Sequence, residues 1–229
     1  MSASEPIAAD GTLVGTRDEI VEKAARGKKA RKAVFDALAG EDRVQRALAA
    51  RVVHALATTK PEVLKEHAAE MADALERPEA QTRWEILGAL EKMVAVDARV
   101  CDKAIVPATT ALHDAESGVV RLAAFRMLAA YGATTPHRSE KVWPLLDEAI
   151  RVYHGDPEFA NMLSGVYRLV MGAASDEVKL AAADRMEFDA EHSKGLIGRR
   201  AKRIVTCAPK RRRRKPKPEP KPADDADDV

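Results

Sequence analysis

A stripe of apolar residues returns along this chain at intervals just under forty, and that interval limits the possible folds more than any other feature. Matched positions Ala49, Leu87, Ala124, Leu163 and Ala201 are separated by 38, 37, 39 and 38 residues. Around them the apolar residues keep helical spacing: Ala49, Val52 and Leu56; Leu87, Leu90 and Val94; Val120, Ala124, Met127 and Tyr131; Leu163, Val166 and Val170; Ala201, Ile204 and Ala208. Apolar residues three, four and seven apart lie on one face of a helix. The interval is long enough for two helices and a turn. A single hairpin of that kind cannot bury its own stripe, so it needs neighbours, and a row of about five such hairpins is an α-solenoid.

Helix punctuation agrees with the period. Thr16 and Glu19 form a capping-box pattern for the first helix. Gly27 either divides that region into two helices or lies within one. A helix is expected from about Asp42 to Ala57. Thr59 and Glu62, with Pro61 in the first turn, are expected to open the second unit. Its stripe is Leu64, Ala68, Met71 and Leu75, and Pro78 turns the chain toward Trp84, Leu87 and Leu90. Ile105, Ala108 and Leu112 face inward in the third unit. After the Gly132–Pro136 loop, Val142, Leu146 and Ile150 do so in the fourth. Asp156 and Pro157 resemble an N-cap and first-turn pair. Ser175 opens the fifth unit, and the last helix is expected at about Glu191 to Thr206.

The best-formed unit carries a family resemblance. Leu112, Asp114, Val120, Arg121, Ala124 and Leu128 follow a Leu-x-Asp…Val-Arg-x-x-Ala pattern that resembles HEAT repeats. The resemblance implies a right-handed, all-α, armadillo-like solenoid, in which the Asp and Arg join a ladder between adjacent units. Arg46 and Arg83 occupy the equivalent position in units one and two, whereas Asn161 replaces the arginine in unit four. Such a fold can host many functions, so function must come from the surface.

Composition narrows the classes. Hydrophobic residues are 46% of the chain but aromatics only 4%, so alanine supplies much of the apolar count, and no strand-type alternation is seen. Cys101 and Cys207 suggest free thiols in a reducing compartment rather than a disulfide framework. Without a secretory pattern or an apolar run long enough to cross a bilayer, a cytoplasmic protein is expected. Residues 1–15 are polar with Pro6 and Gly11, and are expected to be disordered. Residues 16–208 would form the solenoid and 209–229 a disordered tail, basic and then acidic.

Charge is uneven along the sequence. The stretch Lys23–Lys32 has six basic residues and no acid, and Lys194–Lys217 has twelve and none. Residues 61–100 instead hold nine acids against five bases, and 141–193 ten against five. The Lys23–Lys32 run reads most simply as a solvated face of the first helices. At the other end, Arg199, Arg200, Lys202 and Arg203 lead into Lys210, Arg211, Arg212, Arg213, Arg214, Lys215 and Lys217, a run suited to phosphates but without sequence specificity. No aromatic residue is interleaved for base stacking.

Catalytic signals are sparse. The six histidines are scattered over separate units, and neither a metal-ligand spacing nor a Gly-rich phosphate loop occurs. Trp143 and Asp147, one helical turn apart, are reminiscent of HEAT-like DNA glycosylases for alkylated bases, although Pro144 follows the tryptophan and the unit is acidic. The expectation is therefore a non-enzymatic scaffold without cofactor, metal or small-molecule substrate. A protein partner would occupy the solenoid surface, and the basic C-terminal segment would contact nucleic acid. The alternatives are a pure protein scaffold and the glycosylase.

Overall fold

Paired helices stack side by side in two rows. The computed structural model describes residues 5–209. The first row is formed by α2 (Lys28–Ala39), α4 (Ala68–Asp73), α6 (Ile105–Leu112), α8 (Pro136–Val152) and α10 (Asp176–His192). The second is α3 (Arg43–Thr59), α5 (Ala80–Asp97), α7 (Gly118–Gly132), α9 (Phe159–Met171) and α11 (Gly195–Thr206). A short leading helix, α1 (Arg17–Arg26), packs on α2 and α3, and 3₁₀ turns at Pro61–His67, Ala74–Glu76 and Ala98–Ala104 complete the first helices of units two and three. Each second-row helix packs directly on the next, while first-row neighbours touch more sparsely except between units two and three, where α4 packs on the Ala98–Ala104 turn. A stack bends toward its tighter row, so the second row lines the inside of the curve.

Small side chains permit this close row. Ala49, Ala50, Ala89, Ala124 and Ala129 are all fully buried where second-row helices meet, with Phe125, Met127 and Phe159 filling the larger gaps. The low aromatic content therefore reflects helices held near one another. The ladder arginines correct one detail of register. Arg46, Arg83 and Arg121 each precede a buried residue by three positions, namely Ala49, Ile86 and Ala124. Unit two is thus aligned on Ile86 rather than Leu87, and the intervals become 37, 38, 39 and 38.

Those arginines tie consecutive units together. Arg46 pairs with Glu79 of the next unit and donates to the Gly40 carbonyl at 2.7 Å. Arg83 pairs with Asp114. Arg121 reaches Asp156 at 2.8 Å and its own unit's Asp114 carbonyl at 2.9 Å, with its guanidinium 4.8 Å over the Tyr153 ring. Between units four and five the polarity reverses. Arg200 on α11 reaches back to Asn161 at 3.1 Å and to the Ala160 carbonyl. In the corrected register the ladder position of unit four is Ala160, next to Asn161, and the turn before α11, Ser193–Gly195, contains no carboxylate for a cation there to meet.

Several local expectations change. Residues 5–15, read from the sequence as disordered, form a turn over the end of the stack. Ile7 and Leu13 bridge one another and are buried, Gln45 exchanges two hydrogen bonds with Leu13, and the Pro6 carbonyl accepts from the amides of Val14 and Gly15. A Cβ on Gly15 would lie 2.4 Å from Pro6, which explains the glycine. The apolar end of the first unit needs a cover, and two apolar residues in a polar segment suffice. Residues 1–4 and 210–229 lie outside the described residues. Gly27 ends α1 and starts α2, so the region is two helices. Thr59 is not a cap, because α3 runs through it and its hydroxyl bonds back to the Ala55 carbonyl. Asp156 is likewise taken by Arg121, and α9 starts beyond it without a side-chain cap.

The Arg46–Glu79 pair is nearly shut off from water, with side-chain exposures of 8% and 10%. Removing only the cation should be costly, since a buried carboxylate then lacks a counter-charge. Arg46→Met is expected to lose about 3–5 kcal/mol in urea unfolding followed by circular dichroism, and Arg46→Met/Glu79→Met to recover most of it. A double variant no better than the single would mean that the pair does not act as a unit.

Acidity should reveal the same rungs. The Arg46 hydrogen bond holds the Glu79 carboxyl below its ordinary range. Burial opposes this for Asp114, but Arg83 and the amides of Ser117 and Glu116 together hold it low as well. A carboxyl lowered by folding contributes stability that is complete above its unfolded pKa and lost as pH falls through the folded value. Stability should therefore be level down to about pH 5 and fall below about pH 4, with a shallower fall in Glu79→Gln. Thermal melts across that range measure it.

Candidate binding groove

The corrected register brings an alternation to the inner face. Five residues beyond the ladder position of units one to three come Arg51, Gly88 and Arg126, and the same register reaches Gly165 and Arg203 in units four and five. One column of the groove thus reads Arg, Gly, Arg, Gly, Arg from α3 to α11. The arginines are exposed, and the glycines are where neighbours come close. A Cβ on Gly88 would lie 2.7 Å from the His54 ring, and one on Gly165 would lie 3.1 Å from Phe125. The absence of a side chain at Gly88 lets His54 settle against α5, where it meets Glu85 at 2.6 Å. That hydrogen bond holds the Glu85 carboxyl below its ordinary range.

At the centre, α5, α7 and α9 enclose an open cavity of about 540 Å³ lined by Glu91, Leu122, Arg126, Asn161, Ser164 and Arg168. Glu91, with only 12% of its side chain exposed, sits between two cations: Arg168 at 2.7 Å and Arg126 at 3.4 Å. Both guanidiniums stay about half exposed, at 44% and 50%. Each therefore keeps donors directed at solvent while a carboxylate holds it in place. Farther along, Arg203 lies 4.1 Å over the Tyr167 ring, which fixes its stem and leaves its charge outward.

Taken together, basic residues dominate the second-row helices, whatever the charge of the surrounding sequence. Lys92 and Arg168 come from the acid-rich stretches of the sequence, Arg126 from the balanced stretch between them, and all three lie on the second row. The acids Asp176, Glu177, Glu187 and Glu191 lie on α10 in the first row. Of the residues singled out from the sequence, Arg199, Lys202 and Arg203 are exposed on α11, whereas Arg200 is engaged by Asn161 and the Ala160 carbonyl. Lys210, Arg211, Arg212, Arg213, Arg214, Lys215 and Lys217 lie outside the described residues. The Lys23–Lys32 run is largely used within the fold: Lys23 pairs with Glu5, Arg26 with Glu22 and Lys32 with Asp36, and Arg31 is buried against the Ala24 carbonyl.

Arg51, Arg126 and Arg168 were missed by a linear charge count. Arg51 and Arg126 share a constant five-residue offset from the ladder arginines, visible only once the register is fixed, whereas Arg168 lies three residues past the column's Gly165 and carries no such signal. The suggested Trp143–Asp147 pair does not form a groove site. Both residues are on first-row helix α8, and Asp147 is held by Arg185 of α10 at 2.5 and 3.0 Å. Trp84, by contrast, is on α5 of the second row and half-buried. Among the described residues, no group of three or more His, Cys, Asp or Glu could hold a metal ion, and no helix is long and apolar enough to cross a membrane.

Comparison with known proteins places this geometry. No protein-family model matches the sequence, and no curated protein does. Solved structures do match. An engineered protein superposes with a TM-score of 0.67 at 11% identity, over 89% of this chain and 93% of its own. A computationally designed armadillo repeat protein for modular peptide recognition gives 0.64 at 15% identity, over 84% and 92%. A designed armadillo repeat protein in complex with the peptide (KR)4 gives 0.67 at 13%, over 83% and 90%. The chain has an armadillo/HEAT-like solenoid fold. At these identities the armadillo/HEAT-like likeness covers the backbone and its repeat, and the surface chemistry is this chain's own.

One side-chain property is directly measurable. Burial pushes the Cys101 thiol up to about 12, and its sulfur contacts the Leu90 carbonyl at 3.5 Å. Cys207 is only half-buried. At about pH 8, iodoacetamide should alkylate Cys207 in the native protein and Cys101 only after unfolding, because the thiolate is the reacting form. Peptide mass mapping checks this.

Proposed function

We propose that this chain is a non-enzymatic binding scaffold whose inner groove holds a segment of a protein partner, with the basic C-terminal segment adding contact to nucleic acid. The observation that carries the reading is the second row itself. Five successive helices present one continuous surface, on which arginines recur at a fixed register without contributing to the core. Solvent-facing arginines that no packing requirement explains are suited to recognition. The designed relatives for modular peptide recognition share this architecture, which supports a peptide in the groove here. A cytoplasmic setting accords with the two unpaired thiols.

The nucleic-acid half rests on Arg199, Lys202 and Arg203, exposed on the last helix and continuous in sequence with the Lys210–Lys217 run. Such contacts would be to phosphates and would carry a steep salt dependence. The glycosylase alternative has no support in the groove, since Asp147 lies on the other row in an ion pair with Arg185.

Removal of residues 209–229 is expected to leave helicity and melting temperature nearly unchanged. Nucleic-acid binding should weaken, with a shallower dependence on salt. Filter binding of full-length and truncated protein to duplex and single-stranded DNA and RNA at several ionic strengths measures it. Failure of the full-length protein to bind any of them at low salt removes this half of the proposal. Protein capture that survives nuclease treatment but disappears in an Arg51→Glu/Arg126→Glu variant would support the groove half, and capture indifferent to that variant would contradict it.

A further inference from the structure

We infer that the occupant of the inner groove is an acidic segment of a protein partner that also carries apolar side chains, read with a period of two repeat units. This rests on the reading of the inner face as a binding surface and adds the chemistry of what it binds.

The two-unit period is present twice. Arg51, Arg126 and Arg203 fall in units one, three and five, at intervals of 75 and 77 residues. Seven residues before each of them, two turns back on the same helix face, stand Val44, Val119 and Leu196. These too recur at 75 and 77 residues. All three are exposed, at 74%, 47% and 43%. The even-numbered units place polar residues at that position, Gln81 and Glu158, and glycine at the arginine position, Gly88 and Gly165. Each odd-numbered unit therefore offers one apolar contact and one guanidinium, about 10 Å apart along its helix. Successive odd units repeat the pair about 16–20 Å away, twice the usual spacing of packed helices.

Charge complementarity selects the ligand. Two carboxylates of this face are already engaged, Glu85 by His54 and Glu91 by Arg126 and Arg168, and a third, Glu158, lies at the start of α9 against Gly118. Glu91 also demonstrates that the central cavity can seat a carboxylate between two arginines. A partner's Asp or Glu approaching Arg126 and Arg168 from the solvent side would meet the donors that Glu91 leaves open, with Ser164 and Asn161 beside them. The fold relative that binds (KR)4 shows the opposite ligand charge on the same architecture, and that peptide would be repelled by the arginine column here.

A nucleic-acid strand fits this face less well. Its charges recur every ~3.4 Å, whereas the arginine column repeats at about 16–20 Å with exposed valines and Glu91 between. Spaced carboxylates accompanied by apolar side chains are a property of polypeptide.

The test uses full-length protein, so that the basic tail is present in every sample and cancels in the ratio. Fluorescein-labelled (DE)4, an acidic peptide of equal charge with interspersed leucines, (KR)4 and an eight-nucleotide oligo-dT are titrated by anisotropy. The variants are Arg51→Gln/Arg126→Gln and Val44→Ser/Val119→Ser, all changes at exposed positions, with folding verified by circular dichroism. The arginine variant is expected to weaken both acidic peptides at least ten-fold and to leave (KR)4 and oligo-dT within two-fold. The leucine-containing peptide should bind several-fold tighter than (DE)4, and the valine variant should abolish that difference. Glu91→Gln, by removing the resident carboxylate, should tighten acidic-peptide binding several-fold. Acidic-peptide affinity unchanged by the arginine variant overturns the inference. If (KR)4 responds to the groove variants instead, the binding-surface reading stands and the charge assignment is wrong. If no peptide responds, both fall. Oligo-dT losing as much as the acidic peptides assigns the groove to nucleic acid and also overturns it.

Discussion

The first four units of this stack depend on largely buried guanidiniums, each joining one unit to the next. Arg46, Arg83 and Arg121 each leave a second-row helix and end on a carboxylate of the following turn, fixing both the distance and the register between neighbours. Small alanine side chains leave few large projections to lock one helix against the next, so the charged pairs add a directional constraint on that register. A charged pair with 8% and 10% exposure cannot slide without being broken, and breaking it strands a buried charge. Such pairs add little net stability over an apolar substitute, and their value here lies in specifying one arrangement.

The groove follows from the same constraint. Once the ladder sets the register, the residue five positions later is carried to the inner face in each unit, whatever it is. Glycine at two of these positions lets His54 and Phe125 approach across the interface, and arginine at the other three projects to solvent. Structural and recognition residues thus share one helix turn and alternate from unit to unit. Glu85 and Glu91 are tied to His54 and to the groove's own cations, and the second-row helices carry far more basic than acidic residues, so the groove keeps a positive surface.

Much of the architecture was legible in the sequence, and the limits of that reading have physical causes. Apolar residues at helical spacing gave the second helices directly, because burial of one face is the dominant constraint on them. The ladder arginines were legible through the HEAT-like pattern around Arg121. Their partners Glu79 and Asp156 were not, since they sit in turns of differing length, and Asp156 before Pro157 looks locally like a helix cap. Thr59 misled in the same way, its hydroxyl being satisfied within α3. Residues 5–15 read as too polar to order, yet Ile7 and Leu13 are enough when an apolar end lies beneath them. The groove arginines escaped because a count along the chain averages over faces, and Lys92 and Arg168 lie in stretches where acids outnumber bases.

If units are stable only through their neighbours, native-state hydrogen exchange should be graded along the stack. Mass-resolved exchange of the full-length protein is predicted to show the slowest amides in α5 and α7, intermediate ones in α3 and α9, and the fastest helical amides in α1 and α11. Uniform protection lost in a single cooperative step, or slowest exchange at either end of the stack, would contradict the account.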